Sequence, residues 1–486
     1  MKLSPKLWEL YSSSQDNQYK IGKFHDAYDA PMLTELMCHY NPDLNIDMEL
    51  KEELLELLYH YNISDFEDVE IENEDTAKEI FHSIIAHGLV VDDGYIIKPG
   101  DFKGMMMLIP DISLWLSILF PNYFFPYLYG IKFGTLVKTA DLFDIELPQI
   151  PMKTDYEGRC LYYWELCSVF NQFRKENAMT MPEFSSFLYD FVPDYFFEDR
   201  DEPSARRHGN LWISGGVPDY KLPDECYWGC NAEARPGDLL LIYQTSPISA
   251  IVAMYLILSS GEVDPFGSYH CYSKVRKVSE LPKITLHELQ KHQYFKNHPL
   301  IRRKFQGVNG TLLSSEDYDQ LCSILSAKGF DNTALPELDT FRPNVNYKIN
   351  LEKDVEEHLL IPLLDDLGLV NGVDYIRQLP IHAGRGRRIY PDFALYFDDS
   401  PTEPTAEILI EAKLHIKNNK ERIEAFIQAK SYANLLQSHT LVLCDDERMI
   451  VFPNKNGFDR NYYEEFYWSE LSNPDRLSIL KKYLQR

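Results

Sequence analysis

The chain has 486 residues, too many for one hydrophobic core, and its 45% hydrophobic and 25% charged content excludes a largely disordered or fibrous protein in favour of two to four globular domains. The net charge of −27 argues against a nucleic-acid binder in bulk, but the charge is unevenly placed: residues 1–200 carry −20, residues 201–340 carry −3 and residues 341–486 carry −4. The acidic front repels phosphate backbones, whereas the later parts have room for local basic patches.

In chain order, the start Met1-Lys2-Leu3-Ser4 lacks the apolar run of a secretory signal. The most apolar stretch, Met105 to Tyr129, is broken by Pro110, Asp111, Pro121, Asn122 and Pro126, so a buried helix followed by an aromatic turn is expected there rather than a membrane span. The eight cysteines are scattered, which fits buried thiols in a cytoplasmic chain. Cys226-x3-Cys230 with His270-Cys271 is too loosely spaced to favour zinc over ordinary core cysteines.

Residues 1–200 read as a mainly helical, acidic domain for interaction or regulation, with a protein as partner. Helices are expected over Met48–Tyr61, Asp75–His87, Arg159–Asn177 and Pro182–Phe191, the last with proline at its first position. Val90 to Ile97, with Asp-Gly inside, reads as a small hairpin. The acidic run Glu67–Glu79 reads as a solvated face. No catalytic constellation is found here.

A charged run ending in proline, Phe197 to Pro203, marks a boundary. Short strands follow at Asn210–Gly216, Gly237–Tyr243 and Ala250–Leu258, within a unit expected over residues 205–330. A second boundary is Asp331–Asn346, which holds Pro336 and Pro343. Residues 345–486 then read as an α/β core. A helix is expected over Leu351–Leu367 and strands over Tyr375–His382, Ile389–Phe397 and Glu407–Lys413. A helix over Asn418–Leu436 follows, then strands over His439–Cys444 and Met449–Pro453.

Chemistry concentrates in this last unit. Pro391-Asp392 falls in one expected strand, and Glu411-Ala412-Lys413 ends the next, nineteen residues later. Alternation along a strand puts Glu411 and Lys413 on one side. If the strands are neighbours, Asp392 and Glu411 share a hard cation, Mg²⁺ or Mn²⁺, with the Ala412 carbonyl as a third oxygen. Lys413 then stands by the attacking water.

These residues resemble the PD-(D/E)xK nuclease motif. Gln428-x-x-x-Tyr432 resembles the QxxxY extension of the branch that includes the type I restriction enzyme R-subunit and RecB-like nucleases, and four-residue spacing puts both on one helix face. Leu351 to Val355 and Ile361 to Gly368 resemble the first helix of that subunit's nuclease domain. There a helical glutamate completes the metal site; Glu352 matches by register and Glu356, one turn on, is the alternate. The resemblance implies Asp392, Glu411, Lys413, Glu352, Gln428 and Tyr432 as catalytic. Metal would be bound by Asp392, Glu411, Ala412 and Glu352. Arg385, Arg387 and Arg388 would contact phosphates.

Residues 205–330 resemble EVE/PUA-like β-barrels through Trp212-Ile213-Ser214, Arg235 to Tyr243 and Leu300 to Gly310. Such domains often read flipped modified bases, so Trp212, Tyr227, Trp228 and Tyr243 are expected either as pocket walls or as core filling. Arg302, Arg303 and Lys304 would grip a backbone or form a solvated cluster. Three front segments, Phe124–Phe133, Leu147–Pro151 and Phe187–Phe191, resemble a region found beside such readers in defence proteins.

The expected fold is therefore multidomain α+β and α/β: a helical front, a PUA-like β-barrel and a C-terminal restriction-endonuclease-like core. The expected function is a Mg-dependent endonuclease of modification-dependent restriction or antiviral defence, acting on double-stranded, plain or base-modified DNA, as a monomer or homo-oligomer. The alternatives are a non-cleaving nucleic-acid binding protein and an RNA-processing nuclease. No Gly-x4-Gly-Lys-Ser/Thr loop is present, so any NTP-driven motor is another chain.

Overall fold

The computed structural model describes residues 3–25, 73–91, 94–197, 209–216, 222–343, 347–382, 388–400 and 404–485. The expected helix Met48–Tyr61 and most of the Phe197–Pro203 boundary lie outside them. Helix and sheet are mixed, and no described helix is long and apolar enough to cross a membrane.

The front unit is helical, as its periodicity predicts, with one small hairpin of β1 (Leu89–Val91) and β2 (Gly94–Ile97). Helix Phe102–Leu119 carries Pro110 inside it, and helix Tyr156–Glu176 packs beside it. Their shared core is crowded with aromatics: Phe124 stacks on Tyr163 at 5.9 Å and Phe125 meets Phe170 edge-on at 5.6 Å. Helix Met181–Ser186 starts at Thr180, which forms a capping box with Glu183, so Pro182 occupies the second helical position. The expected continuation to Phe191 widens into a π-turn, Phe187–Phe191, two residues before Pro193. A second π-turn, Glu356–Leu360, sits two residues before Pro362. Proline supplies no N–H to the preceding turn, so the helix widens upstream of it in both places.

The middle unit is one curled sheet, ordered β4-β8-β6-β5-β3-β9. Its strands are β3 (Leu211–Gly216), β4 (Glu225–Gly229), β5 (Leu239–Gln244), β6 (Ala250–Ile257), β8 (Cys271–Thr285) and β9 (Thr311–Leu313); β7 (Glu262–Val263) pairs β8. Among the described strand pairs of this unit only β3 and β5 run parallel. The expected barrel does not close: the path ends at β4 and β9, and among the described residues no ladder joins them. Helix Ser315–Ala327 covers one face, packing Tyr318, Leu321 and Leu325 onto Leu239 and Leu241, while Trp212, Leu240, Ile242 and Tyr255 fill the other. Both faces of β3 and β5 are therefore buried without closure.

The C-terminal sheet is ordered β10-β13-β14-β15-β16-β17. It comprises β10 (Tyr375–Arg377), β13 (Phe393–Asp398), β14 (Thr405–Ala412), β15 (Thr440–Cys444), β16 (Arg448–Pro453) and β17 (Glu464–Tyr467); β11 (Ile381–His382) and β12 (Arg388–Ile389) form a separate ribbon. All pairs are antiparallel except β14 with β15. A parallel pair needs a crossover, and helix Asn419–Leu435 provides it, setting Phe426, Ala429 and Ala433 on Leu409, Leu441 and Phe452. The opposite face is covered by Leu359, Leu363, Leu477 and Leu480 over Ile408, Ile410 and Val442.

Two expected strands are broken in the same place. Tyr375–His382 splits at Gln378, whose φ is +53°, and Ile389–Phe397 splits around Pro391. Pro391 has no N–H for a ladder, and the Asp392 carbonyl accepts from the Gln378 N–H at 3.1 Å instead. Asp392 thus stands just before β13 and Lys413 just after β14, rather than within strands.

The units dock closely. Phe266, on the turn between β7 and β8, inserts into the front core against Tyr127 at 4.9 Å. The buried Arg159 guanidinium donates to the carbonyls of Pro265, Gly267 and Lys153 at 2.6, 2.7 and 2.9 Å. The last helix, Pro474–Leu484, bridges back to the middle unit through Ser478 with Asn210 and Asp475 with the Ser315 N–H at 2.9 Å.

Candidate active site

The antiparallel register of β13 and β14 ends at the pair Phe393 and Ile410, so the next residues on each side are Asp392 and Glu411. Asp392 Oδ2 accepts from the Ala412 N–H at 2.8 Å, which ties the Pro391-Asp392 bend to the end of β14. The Glu411 side chain is 4% exposed, and no donor reaches its buried Oε1. Burial, then the Asp392 charge and a hydrogen bond between the two carboxyls, pushes its carboxyl up to about 8.

Lys413 Nζ donates to the Ala412 carbonyl at 2.9 Å and lies 3.5 Å from Glu411 Oε2. Burial works against its charge, but Glu411, then Glu352 and Asp392, keep its pKa above the ordinary lysine range. The three side chains therefore converge at one sheet end. The Ala412 carbonyl, expected as a cation ligand, accepts from the Lys413 ammonium. Among the described residues no group of three His, Cys, Asp or Glu side chains stands close enough to form a ready-made metal cluster.

Helix-borne carboxylates flank this centre. Glu352 is exposed and acts electrostatically on Lys413. Glu356 is more buried and accepts from Arg377 at 2.5 Å; burial and Asp392 raise its pKa while Arg377 opposes that rise. Gln428 and Tyr432 lie on one face of helix Asn419–Leu435 as their spacing predicts, and the structure shows them bonded to each other at 3.2 Å. Arg388 is exposed on β12; Arg385 and Arg387 lie outside the described residues.

Sequence reasoning missed three supports. Asp445 is buried at the end of β15 and accepts from the N–H groups of Ile416, Glu447 and Arg448, which fixes the loop leaving Lys413. Cys444 lies beneath the site, its carbonyl accepting from the Lys413 N–H at 2.8 Å. Arg377 was unflagged because a single cation in a short strand has no spacing signal. Asp445, by contrast, begins Asp-Asp-Glu between two strands, a turn signal that could have found it.

In the middle unit, Trp212 and Trp228 are buried on one face of the sheet and Tyr243 on the other, so these aromatics do not wall one shared pocket. Trp212 Nε1 donates to Asp238 at 2.8 Å and Trp228 Nε1 to the Gly215 carbonyl at 3.2 Å. A Cβ on Gly216 would lie 2.5 Å from Trp228, so glycine is required there. Tyr227 is half-buried beside Trp228 on β4. Arg302, Arg303 and Lys304 are all exposed, and Phe305 pins their turn by stacking on Tyr243 at 4.0 Å. Cys230 and Cys271 are buried free thiols, joined through backbone at 3.0 Å.

Fold and site together define a mixed α/β unit with two carboxylates and a lysine at a sheet end, joined to a curled β-sheet unit and a helical front. No protein-family profile matches the chain, and no curated protein matches it. Among solved structures, Rpa0253 from Rhodopseudomonas palustris is similar at 15% identity, over 24% of this chain and 94% of that one, with a TM-score of 0.22. Atu2648 from Agrobacterium tumefaciens is similar at 12% identity, over 24% and 92%, with a TM-score of 0.21. Likeness at this level carries no argument about function.

Proposed function

We propose that the chain is a divalent-cation-dependent nuclease acting on DNA, with its centre at Asp392, Glu411 and Lys413. The observation that carries this reading is the convergence of the buried Glu411 carboxyl, Asp392 and the Lys413 ammonium at one sheet end. Two carboxyls held this close cannot both be charged at low cost unless something positive joins them. The all-oxygen pair suits Mg²⁺ or Mn²⁺, so the residues fit such an ion.

Asp392 and Glu411 would hold the cation. Bound there, it supplies Lewis-acid stabilisation of the phosphoryl oxygens and a more acidic water. Glu411 gives up its proton to serve as a ligand. Asp392 is oriented by the Ala412 N–H and faces the Glu411 carboxyl, so one cation would replace the proton the pair shares. Lys413, on a side chain 23% exposed, offsets the negative charge that develops on the phosphate and orients the attacking water. The exposed cations Arg388, Arg302, Arg303 and Lys304 would bind backbone phosphates, compensating locally for the acidic chain.

The test is cleavage of plain and base-modified plasmid with Mg²⁺, Mn²⁺ or EDTA, beside the Lys413→Ala variant and an RNA substrate. Metal-dependent DNA cutting that falls by about 10²–10³ in Lys413→Ala is expected. DNA binding without cutting under every condition would replace this reading with a binding protein, and cutting of RNA alone would replace the substrate.

A further inference from the structure

Cations on one flank of the C-terminal unit are held differently from the rest. Elsewhere in that unit Arg476 is paired with Glu464 and Glu470, Arg377 with Glu356, Arg448 with Glu465 and Lys353 with Glu357. On helix Asn419–Leu435 and the loop of residues 454–463, between β16 and β17, the partners are neutral instead. Arg422 donates to the Arg460 carbonyl at 3.1 Å and to Asn419 Oδ1 at 2.6 Å, and lies over the Tyr463 ring at 4.2 Å. Lys430 donates to the Phe458 carbonyl at 2.7 Å and lies over the Phe426 ring at 5.8 Å. Lys455 meets Tyr462, at its hydroxyl and over its ring at 4.4 Å. The exposed Arg460 side chain has no partner among the described residues.

A carbonyl or a ring fixes a cation without cancelling its charge, so these four groups keep a positive field that a carboxylate partner would quench. The carboxylates of the same helix and loop are turned elsewhere. Asp459 accepts from the Asn461 N–H at 2.9 Å, Glu421 from the Lys417 N–H at 2.9 Å, and Glu424 lies 3.9 Å from Lys420. In a chain of net charge −27, a face of uncompensated cations is a specific feature.

The loop has a set shape. Phe458 is buried beside Phe426, and Tyr463 packs on Phe452 at 5.5 Å. The Gly457 N–H donates to Asn454 Oδ1 at 2.7 Å, in a turn where Asn456 and Gly457 have φ of +62° and +110°. Anchored this way, the loop leaves Tyr462 45% exposed between Lys455 and Arg460, which are both exposed. An aromatic surface flanked by cations suits a strand whose bases are unpaired, because a base inside a duplex is already stacked on both faces.

We propose that this flank is a docking face for single-stranded DNA. Lys455 and Arg460 contact phosphates, Tyr462 stacks an unpaired base, and the half-buried Arg422 and Lys430 hold the loop and add to its positive field. This deepens the reading under Proposed function by naming the form of the nucleic acid, and it is independent of the cutting centre.

The experiment is fluorescence anisotropy of a labelled oligonucleotide, single-stranded or as the matching duplex, titrated with the full-length protein in EDTA at several salt concentrations. The wild-type protein should bind the strand more tightly than the duplex. Lys455→Gln with Arg460→Gln should lower the salt slope for the strand by about 0.7 per cation removed. Tyr462→Ala should weaken strand binding roughly tenfold and leave duplex binding unchanged, while Tyr462→Phe binds as the wild type. All three variants should keep the wild-type thermal midpoint, since the altered side chains are exposed. A wild-type protein that prefers the duplex, a double variant with unchanged affinity and slope, or a Tyr462→Ala variant that keeps its affinity for the strand overturns the proposal. Strand binding without cutting under any condition leaves this face standing and overturns the cutting centre. Cutting by a wild-type protein whose binding these variants do not alter overturns this face alone.

Discussion

Glu411→Gln should make the protein more stable at alkaline pH while removing its capacity for a cation. The Glu411 carboxyl is pushed up to about 8 in the folded chain, from an ordinary value of 4.5. Between those pH values the folded state holds a proton that the unfolded state has released, so stability falls as pH rises from 4.5 and levels off above 8. The full shift bounds the loss at about 5 kcal/mol. Coupling to Asp392 and the screening expected of a protein interior bring it to roughly 2 kcal/mol. Gln keeps the shape and carries no charge to bury, so its advantage should be absent near pH 5 and largest above pH 8. A shift of roughly 5 °C in the midpoint of the C-terminal transition is then expected at pH 8.5. Scanning calorimetry of both proteins at pH 5.5, 7 and 8.5, with EDTA, measures it. Equal slopes against pH, or a less stable Glu411→Gln at pH 8.5, refutes the reasoning. Added Mn²⁺ should reverse the order, raising the wild-type midpoint and leaving the variant where it was.

Asp264, fully buried at the junction of the front and middle units, is raised to about 7 from 3.8 by burial, so Asp264→Asn should flatten the decline in stability between pH 4 and 7 and stabilise the protein at pH 8, read by urea unfolding. Arg159→Met strips three carbonyls of a buried donor, each charged hydrogen bond being worth on the order of 2 kcal/mol, and should raise proteolysis at the turn holding Phe266. Phe305→Ala removes the stack on Tyr243 and should cost about 3 kcal/mol, with looser nucleic-acid binding by the Arg302-Arg303-Lys304 turn in a salt titration.

Much of the C-terminal unit was legible because its signals are local. The expected helix Asn418–Leu436 appears as Asn419–Leu435 with Asn418 as its cap, and Met449–Pro453 appears as Arg448–Pro453, since periodicity and capping are properties of neighbouring residues. Strand alternation also placed Glu411 and Lys413 together, and the structure brings them within 3.5 Å. What misled was equally specific. Proline at position 391 looked tolerable inside a strand, but the ladder needs an N–H there, so Asp392 sits in a bend. The resemblance carried by Trp212-Ile213-Ser214, Arg235 to Tyr243 and Leu300 to Gly310 implied a β-barrel, yet helix Ser315–Ala327 covers one face of an open sheet.

The sequence by itself determined helices such as Glu74–His87, Tyr156–Glu176 and Asn419–Leu435, most strands, where acidity concentrates, and that Glu411 and Lys413 share one strand end, whereas helices Phe133–Leu142, Ser315–Ala327 and Pro474–Leu484 emerged only in the structure. Tertiary structure alone decided that Asp392 meets the Ala412 N–H, that Glu411 Oε1 is buried without a donor, and that Arg377 clamps Glu356. These contacts join residues 20 or more positions apart, and pairing register, burial and charge balance at a sheet end depend on every element packed there rather than on any local pattern.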